Sequence, residues 1–355
     1  MDSTKYIGMD VHKETISVAV LNSPGKLVME CVLETKASTV VQSVQGLRGD
    51  LHVTLEEGTW AAWLYDLLRP QVTKVLVCDP RKNALLKAGN KHDHIDARKL
   101  AELLRSNLLR PVYHGEHGVR NLKELSRSYL TISGDVARVM TRLKAVYRSW
   151  AIPCAGKQVY APRYRAEWLG KITEAGVRWR AEFYYQQLDA LRSLRQQVRR
   201  ELLTESGKHK ASKLLRQIPS IGPIRAALLI AILQTPHRFR TKRQLWTYSG
   251  FGIQTHSSAD HRYVDGQLQR SKKEISLRGL NHNHNHDLKN IFKGAATIAA
   301  AKAGPFQEFY AALVAKGMRP EMARLTLARK IAAITLLVWK KGVCFDAKHL
   351  KPQTA

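Results

Sequence analysis

Over roughly the first eighty residues the apolar positions recur every second residue, and beyond about residue 120 they recur at alternating spacings of three and four. The chain therefore reads as a sheet-forming segment followed by long helices. Tyr6-Ile7-Gly8-Met9 is an apolar run that ends at Asp10, and Ile16-Ser17-Val18-Ala19-Val20 alternates as a second strand across a tight connection. Ser23-Pro24-Gly25 punctuates a hairpin. Leu27, Met29, Cys31 and Leu33 then line one face of a third strand, and Leu51-His52-Val53-Thr54-Leu55 is a fourth that delivers Glu56 at its end. A strand over Lys74 to Cys78 and helices carrying Trp60, Trp63, Leu64 and Leu67, then Leu100, Leu103 and Leu104, complete a mixed α/β unit.

From Leu122 the apolar positions are Leu122, Leu125, Tyr129, Ile132, Val136, Val139, Leu143 and Val146, a coiled-coil seam that packs within one chain or makes a dimer. Arg127, Arg138, Arg142, Lys144 and Arg148 decorate it, and a second basic stretch surrounds Leu188, Leu191, Leu194, Val198 and Leu202. A solvated helix face accounts for such charges as well as a nucleic-acid surface does. Pro153, Gly156 and Pro162 break the two helical arms apart. Ile218-Pro219-Ser220-Ile221-Gly222-Pro223 is a turn that enters a helix with Pro223 near its first position. It resembles the hairpin of helix-hairpin-helix modules, whose exposed amides bind phosphate, with Ser220 where the first Gly usually stands. Tyr248 to Asp260 reads as a polar loop after a helix, and Asn281-His282-Asn283-His284-Asn285-His286 as a packed polar helix on which His282 and His286 share a face. The helix through Leu325, Ile331, Ile334 and Leu337 supports the rest. The expected organisation is a sheet domain over about 1–110, a helical region over 111–210, a mainly helical third domain over 211–345 and a tail over 346–355.

Composition adds a partner. Lys and Arg number 58 against 29 Asp and Glu, a formal charge of +29 and a pI near 10.2, which favours nucleic acid through long-range attraction and counterion release. No apolar run approaches the ~18 residues of a membrane span, and Met1-Asp2-Ser3-Thr4-Lys5 lacks the core of a secretory leader. Cys31, Cys78, Cys154 and Cys344 are scattered without a Cys-x-x-Cys pair, so neither a disulfide framework nor a zinc ribbon is indicated. A protein of the reducing cytoplasm is expected, without a membrane partner.

Four carboxylates carry the candidate chemistry. Asp10 and Glu56 fall at strand ends, and Asp93 and Asp96 in Lys91-His92-Asp93-His94-Ile95-Asp96 share one helix face at three-residue spacing. Three antiparallel strands followed by strand-helix alternation is the ribonuclease-H order, which gathers such residues around divalent ions. Oxygen ligands without cysteine suit Mg2+ or Mn2+ better than zinc. Two such ions activate a nucleophile and stabilise the leaving oxygen of a phosphoryl displacement. Singly, each residue is explained as a turn residue or as a complement to a helix dipole; the set in this order is what points to a site. Glu57 adjoins Glu56, but Glu56 directly ends the strand. The His-Asn run offers no acidic or cysteine partner at a familiar metal spacing, so it reads as a polar surface rather than a zinc site.

Tyr-Ile-Gly-Met-Asp-Val-His-Lys, Leu-Glu-Glu-Gly-Thr-Trp, Lys-His-Asp-His-Ile-Asp-Ala-Arg-Lys-Leu-Ala, Ile-Pro-Ser-Ile-Gly-Pro and the Ser-Ser-Ala loop occur in the order seen in DEDD-type insertion-sequence transposases, relatives of the Piv invertase, and the resemblance spans nearly the whole chain. It implies a RuvC-like metal-binding domain, a coiled-coil element that forms a dimer assembling to a tetramer, and a C-terminal transposase domain that supplies a serine nucleophile. It further implies a noncoding bridge RNA that pairs with double-stranded target and donor DNA, in a bacterial, nucleoid-associated protein. Carried over by position, the acidic set is Asp10, Glu56, Asp93 and Asp96, and the nucleophile is Ser258, with Ser257 beside it. Family members usually have Ser-Gly at this place and a Pro four residues earlier, where this chain has Ala259 and Gln254. The activity implied is RNA-guided recombination through a covalent serine-phosphate link. A junction nuclease that uses water, and a non-enzymatic nucleic-acid-binding regulator, are the rival readings.

Overall fold

Strands β1 (Lys5–Val11), β2 (Thr15–Asn22), β3 (Leu27–Glu34), β4 (Leu51–Glu56) and β5 (Lys74–Cys78) pair into one sheet in the order β3-β2-β1-β4-β5. The β1–β2 and β2–β3 pairs are antiparallel, and β1–β4 and β4–β5 are parallel. The computed structural model describes residues 4–83, 92–115, 119–256, 261–270 and 276–350, and the chain divides into two units, Met1–Gly115 and Glu116–Ala355. All five strands lie where the alternation of apolar residues places them.

Side chains alternate across a strand, so the sheet has two unlike faces. Ile7, Met9, Ile16, Val18, Val20, Val53 and Leu55 point to one face. There they pack with Val40 and Val44 of helix α1 (Ala37–Gln45) and Ala61, Leu64 and Leu68 of helix α2 (Ala61–Leu68). A four-residue helix α3 (Pro80–Asn83) follows β5. Helix α4 (Asp93–Arg105) covers the opposite face, where Leu100, Leu103 and Leu104 bury with Cys78, Leu109, Leu76 and Tyr6. Being covered on both faces, β2 is buried continuously from Ile16 to Leu21, so its apparent alternation does not mark an exposed side. Each fully buried aliphatic side chain contributes about 1.5–3 kcal/mol relative to its exposed state.

The second unit begins with helix α5 (Arg120–Ser149), which runs against helix α7 (Ala175–Gly207); the short helix α6 (Arg165–Gly170) lies between them in sequence. The seam expected from residue 122 onward packs inside the chain. Val136, Val139, Leu143, Val146 and Tyr147 of α5 bury with Ala181, Tyr185 and Leu188 of α7 and with Trp168 and Ile172. At the other end Leu122 and Leu202 bury in a larger core built by helices α8 (Lys210–Leu215), α9 (Pro223–Leu233), α10 (Lys242–Tyr248), α11 (His286–Ala301), α12 (Pro305–Ala315) and α13 (Pro320–Lys341). Helix α9, apolar all round beyond Arg225 in its first turn, is buried in it, as such a helix must be in water. Between α8 and α9, Ser220 has φ +70, Gly222 is the residue before the helix and Pro223 opens it. The left-handed position expected of a hairpin glycine is thus filled by serine, whose carbonyl accepts a 2.9 Å hydrogen bond from Arg225 Nη1.

Two segments differ from expectation. Ile253–His256, read as part of a polar loop, is a strand, β6; it pairs antiparallel with a later strand at Ser276–Leu280. Strands β7 (His261–Val264) and β8 (Gln267–Arg270) form a hairpin between them, and the strand at Ser276–Leu280 is β9. Four polar-rich residues carry too little periodicity to announce a strand. Asn281 to Asn285 is not helical; α11 begins at His286, with Asn285 Oδ1 accepting from Leu288 N at 2.8 Å as its cap. Asparagine side chains compete with the helix for backbone groups and so favour caps and turns. Asn281 shows the same behaviour, donating through Nδ2 to the carbonyls of Thr247 and Asn283.

Candidate metal centre

The parallel register that pairs Met9 with Leu55 brings the carboxyl ends of β1 and β4 side by side, with Asp10 and Glu56 the next residues on each. By alternation both belong to the face that α4 covers, together with Tyr6 and His52, whose rings meet edge to face at 5.5 Å. Gly8 sits between Tyr6 and Asp10 on this face. A Cβ there would stand 2.1 Å from the Ala97 carbonyl oxygen and 2.5 Å from the Ala101 amide nitrogen. The missing side chain lets the backbone of α4 lie directly on β1, and the first turn of α4, which carries Asp93 and Asp96, is thereby set at the strand ends.

Among the described residues, Asp10, His12 and Asp93 each place one ligand atom within 4.8 Å of the others. His12 Nε2 is 3.2 Å from Asp10 Oδ2 and 3.6 Å from Asp93 Oδ1. The structure thus brings together two of the four expected carboxylates; Glu56 and Asp96, both partly buried, lie outside this triad. Glu57 is turned to a different task, its Oε2 standing 2.6 Å from Nε2 of His114, a largely buried ring stacked on Tyr65. Ser257 and Ser258 lie outside the described residues, in the segment between β6 and β7. The entry to that segment is fixed by Gly250 at φ +71, where a Cβ would meet the His284 ring at 2.5 Å, and by the Asn281 amide donating to the Gly252 carbonyl.

An ion pair clamps the helix of the centre to the sheet. Arg98 of α4 reaches β3 and donates through Nε and Nη2 to the two carboxylate oxygens of Glu30, each at 2.5 Å. That bidentate bond holds the Glu30 carboxyl below the usual carboxylate range and raises the Arg98 guanidinium further. It fastens the helix to the sheet two residues past Asp96. Arg105 Nη1 adds a hydrogen bond to the Ser23 carbonyl at the next hairpin.

His12 stands two residues past Asp10, just beyond the end of β1, so its nearness in sequence to the strand-end aspartate was the one signal that could have marked it. Gly8 and the Glu30–Arg98 pair carried no such signal, because their partners lie far along the chain. An oxygen-rich set with one imidazole matches the donors that Mg2+ or Mn2+ takes, so the residues present fit a divalent ion. No helix of the described residues is long and apolar enough to cross a membrane.

Comparison with known proteins gives a family. Residues 7–150 match the model of DEDD transposases of the IS110 type, and residues 212–311 match the model described as transposase IS116/IS110/IS902 family. A search of curated proteins finds no match. The two models together take in more than half of the chain, one over the sheet and the first long helix and the other over the C-terminal core, so this chain belongs to the IS110 family of insertion-sequence transposases, enzymes that act on DNA.

Proposed function

We propose that the protein is an RNA-guided recombinase of its insertion sequence, cutting and rejoining DNA strands through a serine-phosphate intermediate at a divalent-metal centre. The observation that carries this reading is the convergence of Asp10, at the end of β1, with Asp93, in the first turn of α4, inside one 4.8 Å group. Asp10, Glu56, Asp93 and Asp96 hold the ion, Mg2+ or Mn2+. The bound ion would polarise the scissile phosphate and ease deprotonation of the nucleophile. That Glu57 is engaged with His114 supports Glu56 as the member from β4. The fold is RuvC-like in this reading, three antiparallel strands followed by parallel ones supporting it.

Ser258 is the nucleophile in this reading, by its position in the family pattern, and the ion supplies the activation that a serine hydroxyl needs at neutral pH. Its Oγ forms a bond to phosphorus, the bond from phosphorus to the departing deoxyribose oxygen breaks, the serine proton is lost and the leaving oxygen gains one. Strand exchange reverses these steps on a new hydroxyl, so no nucleotide cofactor is consumed. A noncoding bridge RNA pairs with target and donor DNA and chooses the sites, and copies of the chain assemble as a dimer and then a tetramer. The formal charge of +29 supports polyanionic partners of both kinds.

The test uses wild type, Asp93→Asn, Ser257→Ala and Ser258→Ala with cognate RNA, a suicide DNA substrate and Mg2+. Asp93→Asn should bind nucleic acid and fail to cut, and Ser258→Ala should lose the protein–DNA adduct on a denaturing gel. Adduct retained by Ser258→Ala but lost by Ser257→Ala would shift the nucleophile by one residue. Cutting without any adduct would make water the nucleophile. Recombination at the same sites by protein stripped of RNA would end the guided reading.

A further inference from the structure

His12 belongs to no acidic set, yet its imidazole stands within reach of both carboxylates of the 4.8 Å group. Its Nε2 lies 3.2 Å from Asp10 Oδ2 and 3.6 Å from Asp93 Oδ1. An ion bound octahedrally at about 2.1 Å from each donor keeps neighbouring donors about 3.0 Å apart. Both distances from His12 are therefore near the spacing of neighbouring corners of one coordination sphere, and the two carboxylates lie within 4.8 Å of each other. The backbone accounts for this placement. Asp10 is the penultimate residue of β1 and the exposed His12 follows the strand's last residue, Val11, while the close approach of α4 at Gly8 brings up the helix that carries Asp93.

We propose that His12 is a nitrogen ligand of the ion at this centre and shifts its preference from magnesium towards manganese. The inference rests on the metal-centre reading given above. Magnesium keeps oxygen donors and several waters. An imidazole inserted among carboxylates favours a first-row transition ion, and manganese is the member of that row that also accepts a carboxylate- and water-rich sphere. The alternative is a histidine that merely pairs with one largely buried and one exposed acid, and it predicts no nitrogen–metal bond.

Mn2+ alone, added to the full chain, separates the two. Electron paramagnetic resonance counts bound against free Mn2+, and electron spin-echo modulation shows whether 14N is directly bonded. Wild type should bind Mn2+ with a histidine 14N signature, and His12→Gln should lose that signature, bind Mn2+ about tenfold more weakly and discriminate less against Mg2+ in competition. His92→Gln, a change at the exposed residue before α4, should retain the signature. Circular dichroism melting checks that each variant folds. If His12→Gln does not fold, wild type labelled with 15N-histidine must show the nitrogen modulation change isotope, and the absence of any nitrogen modulation would overturn the proposal. Mn2+ binding that Asp10→Asn abolishes but that carries no 14N signature, or one unchanged in His12→Gln, would reduce His12 to a counter-ion while leaving the metal centre standing. No bound Mn2+ in wild type would overturn both.

Discussion

At the scale of single residues, the smallest side chain has the largest leverage. The Ala97 and Ala101 atoms that a Gly8 Cβ would strike belong to the backbone of α4, so no side-chain rotation relieves the clash. Gly8→Ala should cost about 1–3 kcal/mol of stability, as overpacking does, and should lower strand cleavage by about a hundredfold, because moving a catalytic group by ~1 Å has effects of that size. Urea unfolding and a single-turnover cleavage assay measure the two; wild-type values in both would mean that α4 does not need the close approach. The contrast with Asp10, Glu56, Asp93 and Asp96 shows what a sequence displays. Those acids are punctuation at strand and helix ends, readable from the local pattern. Gly8 looks like a gap in an apolar run, and its reason lies on a helix some ninety residues later.

At the scale of elements, the same helix is held to the sheet by charge. Because Arg98 depresses the Glu30 carboxyl, Glu30 binds its proton less readily in the folded chain than in the unfolded one. Its contribution to stability is therefore present above the unfolded carboxyl value and is lost as pH falls through the lower, folded value. Glu30→Gln should weaken the protein at neutral pH and flatten the acid side of its stability profile, measured as midpoint of thermal unfolding from pH 7 to pH 3. A profile as steep as that of wild type would assign the acid sensitivity to other groups. Elements differed in legibility for a physical reason. Long apolar periods, as in β1 to β5 and α5, announced themselves. The strand Ile253–His256 and the cap at Asn285 draw on backbone hydrogen bonds with distant or local partners, which leave little trace in hydrophobic spacing. The seam left both packing modes open, and the structure closes it within the chain. Leu143→Ala, a fully buried seam position, should cost about 2–5 kcal/mol, read by chemical unfolding, and a loss under 1 kcal/mol would show that the seam is not load-carrying.

For the molecule as a whole, charge dominates the encounter with its partners. With 58 basic against 29 acidic residues, binding to duplex DNA should weaken by about a thousandfold or more between 50 and 200 mM salt if six or more phosphates are contacted. Fluorescence anisotropy across that range gives the slope, and a nearly flat line would mean that the excess charge faces away from DNA. The long pair α5–α7 has a further consequence. It is pinned at one end by Leu122 and Leu202 in the C-terminal core and at the other by Tyr147, Tyr185 and Trp168. At the far end the Tyr147 and Tyr185 hydroxyls lie 3.0 Å apart, and Tyr185 donates to the Val159 carbonyl at 2.9 Å. Burial, with the Tyr147 hydroxyl beside it, pushes the Tyr185 phenol well above its usual range, so the lock stays neutral at any physiological pH. A thirty-residue helix spans about 45 Å. Pinned at both ends, the pair can neither slide nor fray without breaking buried contacts, and so it acts as a ruler. Its two ends are kept about 45 Å apart, a distance equal to roughly thirteen base pairs of straight duplex.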